Sequence, residues 1–167
     1  MIDAIAAGHL CVDIIPQITD PATAASPSFL APGRLTEVGG ALLSTGGSVS
    51  NTGLALHRLG LEVRLVARLG DDVIAEITRN LLRQRDPRLT EHLAVAHGEP
   101  SSYTIVINPP GVDRTFLHCP GTNNTFGPED VSTALLAETR LLHLGYPPLM
   151  RRMYVDGGEE LAALIAA

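Results

Sequence analysis

The chain has 167 residues with 12 basic and 18 acidic side chains, a formal charge of −6, and it is 45% hydrophobic but only 4% aromatic. That length and composition imply one domain-sized unit with a core of Leu, Val, Ala and Ile, and the acidic balance argues against a nucleic-acid partner, which needs a basic footprint. Every basic residue is arginine, which excludes a Schiff-base lysine and a P-loop, whose lysine is part of its mechanism.

Met1 to Asp13 contains Asp3 and no basic n-region, so no signal peptide is expected. No apolar run approaches the roughly 18 residues of a membrane span. Cys11 and Cys119 lie far apart with no C-x-x-C, against a zinc site and in keeping with a reducing compartment. The expectation is a cytoplasmic protein with no membrane partner. Ile2 to Leu10 reads as a buried strand ending at Gly8-His9, and Cys11 to Ile15 continues extended, broken by Asp13. Two readings of Asp13 stand side by side. It is a strand-end carboxylate facing water, or an acceptor for a ligand's hydroxyls at the carboxyl edge of an open α/β sheet.

Thr19 to Pro32, rich in Pro, Ala and Ser, reads as a loop, and Arg34 to Ser44 alternates like a strand around a bulge or turn at Gly39-Gly40. The stretch T-G-G-S-V-S-N from Thr45 to Asn51 is a glycine-rich turn opening an amphipathic helix. Gly46 and Gly47 let the backbone turn sharply and approach a ligand. Ser48 and Ser50 are candidate N-caps. Val49, Leu56 and Leu59 form the expected packing face, and Gly60 stops the helix before a strand through Val63, Leu65, Val66 and Ala67. Asn51 puts a polar side chain in the first helical turn beside the Gly-Gly backbone, an arrangement suited to gripping hydroxyl groups. Of Asp71 and Asp72, one caps the next helix, whose expected spacing is Ile74, Ile77 and Leu81. Leu93 to Ala96 is a short strand.

From Ser101 the pattern becomes a two-stranded hairpin, with Tyr103, Ile105, Ile107, Phe116 and His118 alternating around a Pro-Gly turn. Tyr103 reads either as a cross-strand contact or as a substrate contact, and Arg114 either as solvated or as a substrate contact. Pro128-Glu129-Asp130 has the form of a helix start, and Arg140 to Leu144 that of a further strand. His143, between leucines, reads as a packing histidine rather than a base. Asp156 to Glu160 opens a helix that runs to Ala167 without a stop signal.

The order G-H-L-C-V-D at Gly8 to Asp13, G-G-x-x-x-N at Gly46 to Asn51, R-L-G-D-D at Arg68 to Asp72 and P-G-T-N at Pro120 to Asn123 resembles the ribokinase-like (pfkB) carbohydrate kinases. The resemblance implies a three-layer α/β/α, Rossmann-like sheet with a small β-sheet lid, the lid segments falling at about 11–45 and 98–120 of one domain over 1–167. It implies a sugar or sugar-like substrate, ATP and Mg2+ as cofactors, and a homodimer through the lid, to which exposed strand edges also point. On it, Asp13, Gly46, Gly47, Asn51, Tyr103 and Arg114 are the substrate-binding candidates. The family's second signature, a D-T-x-G-A-G-D-type turn with the general base, has no match in the sequence. The reading is therefore the amino-terminal part of an ATP-dependent sugar kinase, the 167 residues alone being inactive. The alternative is a non-catalytic sugar- or nucleoside-binding module. A dinucleotide-binding domain fits less well, since G-G-S-V-S-N is not G-x-G-x-x-G and does not follow the first strand.

Overall fold

The structure is a computed structural model that describes residues 1–21, 26 and 29–166. Two four-stranded sheets organise it. The first contains β1 (Ala4–Gly8), β4 (Val63–Leu69), β5 (His92–Val95) and β8 (Leu142–Gly145) in the order β5-β4-β1-β8, all parallel. Parallel strands covered on both faces read as unbroken apolar runs, and every residue of β1 is buried.

One face of this sheet is covered by α1 (Gly47–Arg58) and α2 (Val73–Arg83), whose Val49, Ala75 and Leu82 pack with Ala6, Leu65 and Leu69. The other face holds Phe126, Met150, Met153 and Leu164 against Ile5 and Val66, the last of the four from α4 (Glu159–Ala166). A short α3 (Thr133–Ala137) adds Leu135 and Leu136. This is the expected three-layer arrangement. Phe126 is fully buried, and a side chain of that size contributes about 1.5–3 kcal/mol on burial. At Gly53, a β-carbon would stand 2.2 Å from Leu65 Cδ2, so the missing side chain is what lets α1 lie so close to the sheet.

The second sheet contains β2 (Cys11–Pro16), β3 (Ala41–Gly46), β6 (Tyr103–Ile107) and β7 (Thr115–Cys119) in the order β3-β2-β6-β7. The expected hairpin is β6–β7, antiparallel, and β6 joins β2 in parallel. Only two residues, His9 and Leu10, link β1 to β2. Asn123 clamps this link: its Oδ1 accepts from Leu10 N–H at 3.1 Å and its Nδ2 donates to Leu10 C=O at 3.2 Å. Thr122 Oγ1 donates to the Arg68 carbonyl at 2.7 Å, so the P-G-T-N turn ties the two sheets together.

Several local expectations are corrected. The N-cap of α1 is Gly46, and Ser48 and Ser50 are buried inside the helix rather than capping it. Leu59 is 78% exposed while Val49 is fully buried, because the helix has already ended at Leu59, where Gly60 with φ +87° turns the chain away. In α2 the buried face is Ala75, Thr78 and Leu82, one position on from Ile74, Ile77 and Leu81. The strand expected over Arg34 to Ser44 begins only at Ala41 and runs to Gly46. Of the loop expected over Thr19 to Pro32, residues 22–25 and 27–28 lie outside the described residues, as does Ala167. Among the described residues no helix is long and apolar enough to cross a membrane.

Candidate functional site

Asp13 sits in mid-strand in β2, opposite Ser44 of β3 and Thr104 of β6, and Thr104 in turn faces His118 of β7. Paired residues share a face of a sheet, so Ser44, Asp13, Thr104 and His118 make one polar row. The next row on the opposite face, Leu43, Ile14, Ile105 and Leu117, is wholly apolar.

The glycine pair is demanded by what lies against it. A β-carbon on Gly46 would stand 2.3 Å from Asp13 Oδ2, and one on Gly47 would stand 2.5 Å from both His9 Nδ1 and the His9 carbonyl oxygen. Gly47 also has φ +85°, a conformation that side chains resist. The carboxylate is thus seated directly on the start of α1. No side chain caps that helix end and no acid occupies its first turn, and of its first amides Val49 N–H donates to the His9 carbonyl at 3.1 Å. Asn51 lies one turn further along α1, exposed, at the wall of a separate groove of about 280 Å³ that runs from Ser44 and Thr45 to Arg58, Gln84 and Arg85 and does not include Asp13.

The remaining candidates are placed otherwise. The register puts Tyr103 level with Val12 and Cys119, on the face opposite Asp13, and Thr104 occupies the position on the Asp13 face. Arg114 precedes β7 at the far end of the hairpin, exposed, with its guanidinium carbon 5.5 Å from the Phe116 ring centre. The structure therefore gathers Asp13, Gly46, Gly47 and the first turn of α1, and sets Tyr103 and Arg114 apart from them.

Around Asp13 stand residues the sequence did not single out. His9 is 3% exposed, with its Nε2 3.4 Å from His118 Nε2 and its ring stacked at a tilt beside Tyr146. Its Nδ1 is buried without a partner, as is the hydroxyl of Ser48. Burial pushes His9 down to about 4, helped by the neighbouring His118. Burial also lowers His118, with the Asp13 charge pulling the other way. Burial raises Asp13, and burial followed by the Asp13 charge pushes the Cys11 thiol up to about 12. At neutral pH the histidines are uncharged and Cys11 is a thiol. The one local signal was a histidine directly after Gly8 at a strand end. The partnership with His118 depends on a pairing 109 residues long in sequence. His143 accounts for itself as a packing residue, its Nε2 3.1 Å from Thr52 Oγ1.

Among the described residues no group of three or more His, Cys, Asp or Glu side chains is placed to hold a metal ion. What the arrangement offers is a carboxylate acceptor and a helix amino terminus in contact, beneath a row of hydroxyl and imidazole groups. Groups of these kinds are the ones that accept from and donate to hydroxyls.

No curated protein matches the chain. Among solved structures, a PfkB protein from Polaromonas sp. JS666 superposes with a TM-score of 0.72 at 19% identity, covering 99% of this chain and 53% of that one. A ribokinase from Giardia lamblia gives 0.69 at 16%, covering 99% and 49%. A fructokinase with bound ATP from Xylella fastidiosa gives 0.63 at 17%, covering 86% and 42%. The chain spans about half the length of these proteins, and the likeness shows that its fold is ribokinase-like. The pfkB family of carbohydrate kinases matches residues 9–165, and the chain belongs to that family.

Proposed function

We propose that the parent protein is an ATP-dependent kinase acting on a hydroxyl of a sugar or sugar-like molecule, and that this chain supplies its acceptor-binding half and lid. One observation carries the reading: the Asp13 carboxylate rests on Gly46 at the start of α1, which no side chain caps. A carboxylate can accept from two hydroxyls at once, and the helix end favours the oxygen atoms it attracts. Asn51, further along the same helix, offers an amide that both donates and accepts from the adjoining groove. Phosphoryl transfer is largely a matter of positioning and electrostatics, and the role of these residues is to hold the acceptor still.

ATP and Mg2+ belong to the proposal through family membership and the likeness to an ATP-bound fructokinase. The residues present do not fit them. The sequence has no D-T-x-G-A-G-D-type turn and no metal-ligand cluster among the described residues, so no step of the transfer is assigned to this chain. In the full-length enzyme, Asp13→Asn should raise the sugar KM at least tenfold, the loss expected for a hydrogen bond to a charged group, and leave the KM for ATP unchanged. An unaltered sugar KM removes Asp13 from the site. Calorimetric heat from a sugar, with none from ATP under any condition, would favour the non-catalytic binding module.

The apolar row of Leu43, Ile14, Ile105 and Leu117 is exposed at both ends and lies on a sheet whose edges are β3 and β7. We assign the homodimer contact to this sheet. Light scattering should give a dimer for the full-length protein and a monomer for the Leu43→Asp, Leu117→Asp double variant. A monomeric wild type discards the assignment.

A further inference from the structure

Five side chains form a continuous run of hydrogen bonds away from the candidate acceptor-binding carboxylate. Cys11 Sγ lies 3.5 Å from Asp13 Oδ1, Thr104 Oγ1 3.7 Å from Cys11 Sγ, His118 Nδ1 2.9 Å from Thr104 Oγ1, and His9 Nε2 3.4 Å from His118 Nε2. The thiol and the hydroxyl have one proton each, which fixes the direction of the whole run. The Cys11 S–H donates to Asp13, so Cys11 can only accept from the Thr104 O–H, which has the Asp13 carboxylate as a second acceptor within reach. Thr104, its proton used, accepts from His118 Nδ1–H. His118 Nε2 is then bare and accepts from His9 Nε2–H, which leaves His9 Nδ1 as a bare acceptor. That nitrogen is the buried atom without a partner, held against Gly47.

We infer that Cys11, Thr104, His118 and His9 are positioning residues that hold Asp13 with Oδ1 occupied and Oδ2 presented to the substrate at the start of α1. The inference rests on Asp13 being a substrate-binding residue. A β-carbon on Gly46 would stand 2.3 Å from Oδ2 and 2.6 Å from Oδ1, so the carboxylate lies against the start of α1 while the Cys11 thiol holds Oδ1 at 3.5 Å. The buried end of the run, His9, is 3% exposed, so its ring cannot turn over by swinging out into solvent. The titratable groups facing the histidine pair are Asp13 and Cys11 from β2 and Tyr146 from the segment after β8. Thr104 and the Gly47 backbone complete the surroundings. A chain that ends on a carboxylate lowers the cost of its charge, because each donor is oriented by the one behind it.

The test uses the full-length protein and has a part that needs no variant. Two-bond nitrogen–proton NMR on histidine-labelled protein should show Nδ1–H at His118 and Nε2–H at His9, and the reverse tautomers overturn the inference. Sugar affinity is then measured by calorimetry from pH 5 to 8 in the isosteric Thr104→Val, in Thr104→Ser, in His118→Leu and in His118→Asn, whose amide can replace the Nδ1–H donor. Thr104→Val and His118→Leu should weaken sugar binding about tenfold. Both should also move the acid limb of the profile to higher pH, since a carboxylate that loses its donor protonates more readily. Thr104→Ser and His118→Asn should restore both properties toward wild type. A side chain that only packs would not shift the acid limb. If Asp13→Asn abolishes binding while Thr104→Val and His118→Leu bind as wild type with an unmoved profile, the positioning role fails and the site stands. If Asp13→Asn binds as wild type, the substrate-binding reading of Asp13 fails, and the positioning role with it.

Discussion

His9 shows what burial of a single ionisable group does to the whole chain. Its folded-state value of about 4 lies below the ordinary 6.5, so between those values the unfolded chain binds the proton that the folded chain refuses. The neutral ring's contribution to stability is complete above pH 6.5, declines as the pH falls, and is lost below about 4. The gap corresponds to about 3 kcal/mol. His118, also lowered by burial, acts in the same sense. Asp13 and Asp130, raised by burial, act in the opposite sense, since their contribution is greatest in acid and fades as the pH rises through their folded values. Comparison with His9→Gln isolates the histidine. Denaturant midpoints at pH 7, 6, 5 and 4 should fall more steeply for wild type than for His9→Gln, and parallel curves would show that His9 does not carry the acid sensitivity. The same residue marks where the sequence stopped being legible. Gly46, Gly47 and Asp13 could be singled out because a short motif contains them. That a carboxylate and an imidazole are what forbid β-carbons on the two glycines depends on strands that meet only in the fold.

At the scale of elements, the features readable in sequence are those with local causes. Gly60 ends α1 by adopting φ +87°, and Asp72 caps α2 through its Oδ1, which accepts from Ala75 N–H at 2.9 Å. The faces of the elements were less legible. Ile74, Ile77 and Leu81 have helical spacing, yet the buried residues are Ala75, Thr78 and Leu82, a shift of one position that tertiary packing and not spacing decides. Tyr103 alternates as a strand residue should, and only the pairing of β6 with β2 decides which face it shares. Asp72 likewise has a second role that its sequence did not announce. Its Oδ2 accepts from the N–H of Ser101 at 2.8 Å, and Ser101 Oγ accepts from Gly70 N–H at 2.8 Å, so one carboxylate fastens the start of α2 to the entry of β6. Asp72→Ala removes the cap and also strands the N–H of Ser101, which is buried. The expected loss is about 2 to 4 kcal/mol, above the ~1 kcal/mol of a cap alone. Asp72→Asn, with one acceptor oxygen left, should fall between. Urea denaturation of the full-length protein decides it, and a loss confined to ~1 kcal/mol would mean the Ser101 bond contributes nothing.

Across the whole molecule, the two sheets divide the work. The parallel sheet, sealed on both faces, sets the carboxyl ends of β1 and β8 and the start of α1 in one place. The second sheet stands over them and carries Asp13. Only His9 and Leu10 join the two, and Asn123 clamps that joint, so the position of Asp13 relative to α1 is held by the fold rather than by a loop. Among the described residues no comparable cluster of His, Cys, Asp or Glu is placed to hold a nucleotide's metal ion. β8 is an edge strand of the parallel sheet, and the solved relatives are about twice as long as this chain. The proposed division predicts that residues 1–167 on their own bind a sugar yet transfer no phosphoryl group. Orienting the acceptor contributes to rate only when a base and an electrophile face it. Incubation with γ-labelled ATP, Mg2+ and a panel of sugars and nucleosides should give no labelled product, while calorimetry on the same preparation registers the acceptor. Labelled product that disappears in Asp13→Asn would place the general base among these residues, and the side chains facing Asp13 across the polar row would be the ones to replace next.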